Sequence, residues 1–404
     1  MFHIICIEKN DVKNVPQSLL YNYDWAWKTI VYGFSGDIEN IIKLKRCFPT
    51  IKESMDSANP PIIYGSGIQA NAGDAKTTDL IGLPLLDSKN GIDHFLINFN
   101  ENNIFSAPEI HRTRNINLFN PPHCFTAKGL NCNNFKMRSA YSDKKMICKE
   151  AIYVIKSEEE QKDILLNLVG LLNSSLYAYL NLMIGSSLGI EREQRLMTEV
   201  LSFPYIYSQQ LAEKVEKIQK ANIILNCENQ PEIEHIDKLI FDAIGLNDNP
   251  FVDYAISIQI PELANSDATL AHKKVSAEDL KKYSDCFVKQ FSELYNPYGK
   301  YAHIILYPDV NNQYSIFELY VKDSKPEEEI TVSSEISKDK KLLSKFSVHS
   351  YNDKIYELRD VIHFSDNSFF IIKSNMYKNW HPAIAEIDLA DVISQIMFSD
   401  GGDE

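Results

Sequence analysis

The chain has no surplus of positive charge, no uninterrupted apolar run long enough to cross a bilayer, and no cysteine pairs at metal-site spacing. Each absence removes a class of protein. One that grips nucleic acid unaided normally carries a basic footprint, whereas 41 Lys and Arg against 55 Asp and Glu leave a formal net charge of -14. Any phosphate-binding surface is therefore local, and much of the non-specific grip is expected from a partner. The seven cysteines, at 6, 47, 124, 132, 148, 227 and 286, are an odd number. They read as reduced thiols in a cytoplasmic protein and imply no zinc. The most apolar stretch, 164–184, is interrupted by Asn167, Asn173, Ser174, Ser175 and Asn181, which predicts a core helix and no membrane span. The apolar start is too short for a signal peptide and lacks a basic leader, so residues 1–7 are expected to form a strand.

What is present is a globular composition, 44% hydrophobic and 11% aromatic over 404 residues, enough for two or three domains with their own cores. Charge is uneven: residues 105–150 hold eight Lys or Arg against three Asp or Glu, while 325–329 and 400–404 are acidic. Apolar residues at helical spacing predict a helix over 18–33, packed through Trp25 or Trp27 and ending at Gly33. A second helix is expected over 36–48, stopped by Pro49. Between 79 and 109 the pattern is short strands, at 80–86, 95–98 and 104–105, punctuated by Asn and Gly.

Beyond Pro204 the chain turns helical. Ser208 is a candidate N-cap for a helix over 209–225 with Leu211, Val215 and Ile218 on one face. Pro231 opens another with Ile233, Ile236, Ile240 and Ile244 inward and Gly245 as its stop. After a linker near 261–271, an amphipathic helix (276–294), strands (301–307, 314–321, 368–373) and a last helix (388–397) are expected, with 380–388 a packed turn before it. The expectation is an α+β chain. N-terminal strand and helices (1–60) face a catalytic partner, a strand-rich recognition module (61–206) follows, and a helical spacer (207–266) joins it to a small C-terminal α+β domain (267–404).

Five spaced blocks carry the chemistry: Arg112-x-Arg114, Phe119-Asn-Pro-Pro-His123, Arg138-Ser-Ala-Tyr-Ser-Asp143, Leu-Leu-Asn-Ser-Ser-Leu at 171–176, and Ser-Ser-Leu-Gly-Ile-Glu-Arg-Glu-Gln at 186–194. In this order they resemble the target-recognition region of large bacterial N6-adenine DNA methyltransferases. These are the type IIG restriction-modification enzymes and the methyltransferase of BREX phage-defence systems. The resemblance spans residues 18–260. In that family a Trp-x-Phe-Lys-x-x-x-Tyr-Gly-x-x-x-Asp segment follows the catalytic domain, and 25–37 looks like it with Trp27 in place of the Phe. The chain is thus expected to begin where that domain ends. The run at 236–246 is similar to one that follows the family's recognition module.

The resemblance implies a DNA-reading surface. Arg112, Arg114, Lys128, Lys136, Arg138, Lys144 and Lys145 would pair with phosphates or donate to guanine, and Asn131, Asn133 and Asn134 would serve adenine. Tyr141 would pack or touch the DNA backbone. Ser186 or Ser187, with Arg192, would face outward from a turn, the alternative being that the charges at 191–195 form an internal ion pair that fixes the loop.

Adenine methyltransferases also need an Asn-Pro-Pro-Tyr loop whose aromatic ring stacks on a flipped base. Asn59-Pro-Pro-Ile62 and Asn120-Pro-Pro-His123 lack that ring, and Gly65-Ser-Gly67 lacks the strand-turn-helix context of a cofactor fingerprint. These read as turns, and His123 as a structural histidine and no general base. The expected function is a non-catalytic specificity subunit for double-stranded DNA. It would hold no cofactor and serve a catalytic methyltransferase chain that binds S-adenosylmethionine, with a nuclease or helicase as a further component. A degenerate methyltransferase and an acidic DNA mimic are the competing readings.

Overall fold

The computed structural model describes residues 13, 15–87, 89–98, 100, 102–186, 188, 195–264, 268–310, 313–334, 348–351, 354–357, 360–365 and 367–399. The strand expected over 1–7 lies outside the described residues, as do Ser187 and Arg192. The chain divides into two compact units, Val15–Ser266 and Met1–Asn14 with Asp267–Glu404. Helices and strands alternate without a repeating βαβ unit, so the fold is α+β.

The first unit opens with helices α1 (Gln17–Asn22), α2 (Ala26–Tyr32), α3 (Ser35–Cys47) and α4 (Ile51–Ser57). The helix expected over 18–33 is interrupted at 23–25, where Trp25 packs against the core and Trp27 is left exposed. Strands follow: β1 (Ile63–Ser66), the short β2 (Ala75–Lys76), β3 (Leu85–Leu86), β4 (Ile92–Asp93), β5 (Leu96–Ile97) and β6 (Glu109–Ile110), then β7 (His123–Leu130), β8 (Met137–Ser142), β9 (Ile147–Cys148) and β10 (Ile152–Lys156). The main sheet is antiparallel in the order β1-β10-β7-β8. Side chains alternate across it with the period of a strand. Cys124 and Ile155 face a helical core, while Phe125, Ile152 and Val154 face a second core built from the segments between β1 and β7.

The helical core comprises α5 (Lys162–Leu172), α6 (Ser175–Ile184), α7 (Met197–Leu201), α8 (Gln209–Leu225), α9 (Gln230–Ile244), α10 (Pro250–Tyr254) and α11 (Ile260–Leu263). The single helix expected over 164–184 is α5 and α6, bent by 64°. Ser174 between them is extended (φ -80°, ψ 158°), and its hydroxyl accepts the Tyr177 N–H, which starts a new helix. No single helix among the described residues is long and apolar enough to cross a membrane. The helices expected as a spacer, α8 and α9, do not stand apart. Leu211, Val215, Ile218, Ile233, Ile236 and Ile240 belong to the same buried cluster as Leu165, Leu172 and Leu176. Their inward stripes read correctly, but periodicity says nothing about what covers a stripe.

In the second unit a short helix α12 (Thr269–His272) precedes α13 (Ala277–Tyr295), which Ser276 and Asp279 start as a reciprocal cap. Strands β11 (Tyr301–Val310), β12 (Tyr314–Lys322), β13 (Ile330–Val332), β14 (Val348–Tyr351), β15 (Lys354–Glu357), β16 (Asp360–Ser365) and β17 (Ser368–Ser374) follow, then α14 (Pro382–Ser399). Five of them form a sheet ordered β13-β11-β12-β17-β16, in which β13 runs parallel to β11. The last helix begins at Pro382, not 388, because proline suits a first helical turn; the expected turn over 380–388 is largely helix. Lys373 and Asp388 pair in full burial, and the Tyr283 hydroxyl donates to the same carboxylate at 2.7 Å.

Candidate nucleic-acid interface

Strand β8 is an edge strand, and an unpaired edge exposes N–H and C=O groups that water or another chain would claim. Here side-chain amides take the place of a fifth strand. Asn173, at the α5–α6 bend, accepts the Ser139 N–H (3.0 Å) and donates to the Ser139 carbonyl (2.8 Å). Two residues along, Gln219 of α8 accepts the Tyr141 N–H at 2.9 Å and donates back to the Tyr141 carbonyl. The edge is sealed by helices, and its side chains are fixed without a strand partner.

The β7–β8 turn is braced by the same helices. His94 is buried and its Nδ1 lies 3.1 Å from Asn173 Oδ1, while Asn131 Nδ2 reaches its Nε2 at 3.2 Å. The two contacts fit a neutral ring that donates from Nδ1 and accepts at Nε2. Burial lowers the His94 pKa, which agrees. Lys136 pairs with Asp237 of α9 at 2.9 Å, and Asp237 in turn accepts the Ser175 N–H and hydroxyl at the start of α6 (2.6 and 2.5 Å). The Asn-Ser-Ser block at 173–175 is thus the clamp that holds the hairpin.

The residues expected to touch DNA do not form one cluster. Arg112 is exposed, and neither it nor Arg114 has a carboxylate partner among the described residues. Arg114 holds a left-handed backbone (φ 62°), an uncommon choice for a long side chain, and its buried Nε has no hydrogen bond. Lys128 lies over the Tyr153 ring at 4.7 Å; burial lowers its pKa, Glu150 raises it and Arg114 lowers it. Asn133 is exposed, and Asn134 is spent partly on the turn, its Oδ1 accepting the Lys136 N–H at 3.0 Å. Lys136, committed to Asp237, is a bracing residue and no free phosphate ligand. Arg138 is half-buried, with Nη1 3.2 Å from the Lys89 carbonyl.

Tyr141, Lys144 and Lys145 lie toward the other end of β8, whose six residues span roughly 20 Å at ~3.3 Å per residue. Tyr141 is 8% exposed, with Lys162 over its ring at 5.4 Å, so it packs and does not read. Beside it runs a cleft of about 190 Å³ lined by Lys144, Lys162, Lys220, Asp143 and Glu216. Lys162 and Lys220 share Glu216 (2.8 and 3.0 Å).

The motifs set aside on sequence have structural tasks. A Cβ on Gly67 would fall 2.2 Å from the Cys148 carbonyl oxygen, so this glycine serves the close approach of two backbones. His123 is fully buried, with its ring nitrogens 3.2 and 2.9 Å from the Leu118 and Lys144 carbonyls. The cluster at 191–195 is described only at Arg195, which is 1% exposed, lies 3.7 Å from Glu199 and donates to the Asn181 carbonyl at 3.3 Å. Lys28 donates to that same carbonyl (3.1 Å) and to Gly185 (2.5 Å). Burial, and then the neighbouring Arg195, hold Lys28 down to about 7. Among the described residues no group of His, Cys, Asp or Glu is placed to hold a metal ion.

Sequence reasoning missed Gln219 and Asp237, because both lie on helices read only for their apolar stripes. The available signal was a polar residue directly after an inward one, Gln219 after Ile218 and Asp237 after Ile236. No family model and no curated protein matches the chain.

Proposed function

We propose that this chain is the DNA-specificity subunit of a split N6-adenine methyltransferase from a restriction-modification or phage-defence system. Its reading surface is local, and S-adenosylmethionine belongs to a separate catalytic chain. The observation that supports this most is a division of labour inside the first unit. The 173–175 block and Asp237 brace the β7–β8 hairpin, while among the described residues Arg112 and Arg114 have no carboxylate partner. Cations that no carboxylate neutralises suit phosphate contact or bidentate donation to guanine.

The test is reconstitution. The purified chain alone should neither bind S-adenosylmethionine nor methylate DNA, and adding the methyltransferase from the neighbouring reading frame should restore site-specific methylation. Methyl transfer by the chain alone overturns the proposal. The net charge of -14 favours one rival, an acidic mimic that occupies a partner's DNA groove. Under that reading, Arg112→Glu with Arg114→Glu leaves the complex's activity intact; under ours, site binding weakens by about 1–3 kcal/mol per base-contacting arginine.

A further inference from the structure

The last turn of α8 separates two concavities in the first unit. On one side is the lysine-bearing cleft, which Ile223 lines. On the other is a cavity of about 500 Å³ lined chiefly by carboxamides, Asn90, Asn98, Asn100, Asn103 and Asn226, with Asp87. We propose that this second cavity is a nucleobase pocket that takes an unstacked base, adenine in preference. The proposal deepens the DNA-reading role above and rests on it.

Four features point this way. The size suits a small ligand held by a few convergent polar groups. Among the described residues the lining carries these five carboxamides and one carboxylate, Asp87, with Leu85 and Leu86 as the apolar face on which a base would lie. The carboxamides are only partly spent: Asn98 and Asn103 use their Nδ2 on the Asn90 and Leu85 carbonyls (3.0 and 2.6 Å), and Asn100 uses its Oδ1 on the Asn102 N–H (3.0 Å). Two acceptors, one amide donor group and the whole Asn90 and Asn226 side chains remain without hydrogen bonds among the described residues. A carboxamide matches the adjacent donor and acceptor of adenine's N6 and N7 in a bidentate pair.

The surroundings agree. Ile223, Ile224 and Leu225, which precede Asn226, are exposed by 57, 82 and 56%. Such an apolar tip beside a polar pocket fits a side chain that parts a base step while the displaced base goes into the pocket. Arg138 contacts the Lys89 carbonyl, which brings cations to the loop that forms one wall. That loop is tight by design: a Cβ on Gly91 would fall 2.3 Å from the Asp87 carbonyl oxygen.

The experiment titrates the full chain with adenosine monophosphate, cytidine monophosphate and ribose 5-phosphate, followed by NMR of the asparagine side-chain amides. Asn226→Gly is the test variant, because it removes the carboxamide while tolerating the left-handed backbone at 226 (φ 52°). Adenosine monophosphate should bind saturably and more tightly than cytidine monophosphate, ribose 5-phosphate should leave the amides unmoved, and the variant should weaken binding at least about tenfold. No binding up to about 10 mM, equal binding of ribose 5-phosphate, or an unaffected variant each overturns the pocket. Duplex binding by the chain with its methyltransferase partner is measured in parallel. Duplex binding without mononucleotide binding removes the pocket and leaves the specificity role. Mononucleotide binding through Asn226 without duplex binding removes the role and leaves a nucleotide site.

Discussion

Replacing Asn173 with alanine tests whether side-chain amides really substitute for a missing strand. The carboxamide is 1% exposed and makes four hydrogen bonds, to Ser139 N–H, Ser139 C=O, Val169 C=O and His94 Nδ1. Two of the four partners lose their only hydrogen bond. The Ser139 carbonyl also accepts the Phe95 N–H at 3.1 Å, and the Val169 carbonyl also accepts the Asn173 N–H at 3.2 Å, which alanine retains. The Ser139 N–H and the His94 Nδ1–H are left buried and unpaired. Each such orphan costs about 1–3 kcal/mol, so the first unit should lose roughly 2–6 kcal/mol, with about 3 the expected value because larger single-residue losses are exceptional.

For a unit of this size that is a fall in melting temperature of roughly 6–12 °C, at ~2–4 °C per kcal/mol. The assay is urea unfolding followed by probes in the first unit, with hydrogen exchange at the Ser139 amide as a local readout. Asn173→Asp sharpens it, because the carboxylate keeps both acceptor contacts but turns oxygen toward the Ser139 and Val169 carbonyls. Its penalty should shrink as pH falls and the acid protonates to regain a donor. An Asn173→Ala variant within about 0.5 kcal/mol of the parent, with Ser139 exchange unchanged, would refute the reasoning.

Four further outcomes follow from the same geometry. Gln219→Ala orphans the Tyr141 N–H and should cost about 1–3 kcal/mol, with Tyr141 and not Ser139 losing amide protection in hydrogen exchange. Lys28, held down to about 7 by burial against an ordinary 10.5, binds its proton less tightly folded than unfolded. Its contribution to stability is therefore complete above about 10.5 and lost progressively as pH falls from there to about 7. Cys124, pushed up to about 12 by burial, acts with the opposite sign above its ordinary value of 9.0, so the measurement is the difference in slope between parent and Lys28→Met in urea unfolding from pH 6.5 to 8.5. His94, whose pKa burial lowers, should make the first unit lose stability as pH drops below the histidine range, and His94→Gln should flatten that limb in acid titrations. In the reconstituted complex, Lys144→Ala and Lys145→Ala should each reduce the dependence of log affinity on log salt by about one if they meet phosphates; unchanged slopes would remove them from the interface.

Much of the scaffold could be read in one dimension, because its signals are local. Ser208 caps α8, Gly245 ends α9 in the left-handed region, and Ser276 begins α13, each a matter of backbone groups within one turn of chain. The inward isoleucines of α9 followed from period alone. The 173–175 block was legible as a block and opaque as a device: its asparagine works on Ser139, 34 residues earlier, and its serine on Asp237, 62 residues later.

Residue types and spacings set where helices start and stop, which faces are apolar and which segments carry surplus cations, since propensity, capping and periodicity act within a few positions. Tertiary structure alone decided that the supposed spacer joins the core and that Lys136 and Tyr141 are consumed in bracing. It also decided that five asparagines spread from 90 to 226 line one cavity. Those outcomes depend on which distant groups meet. A side chain's chemistry says what it can bond, and only the folded chain determines what is within reach.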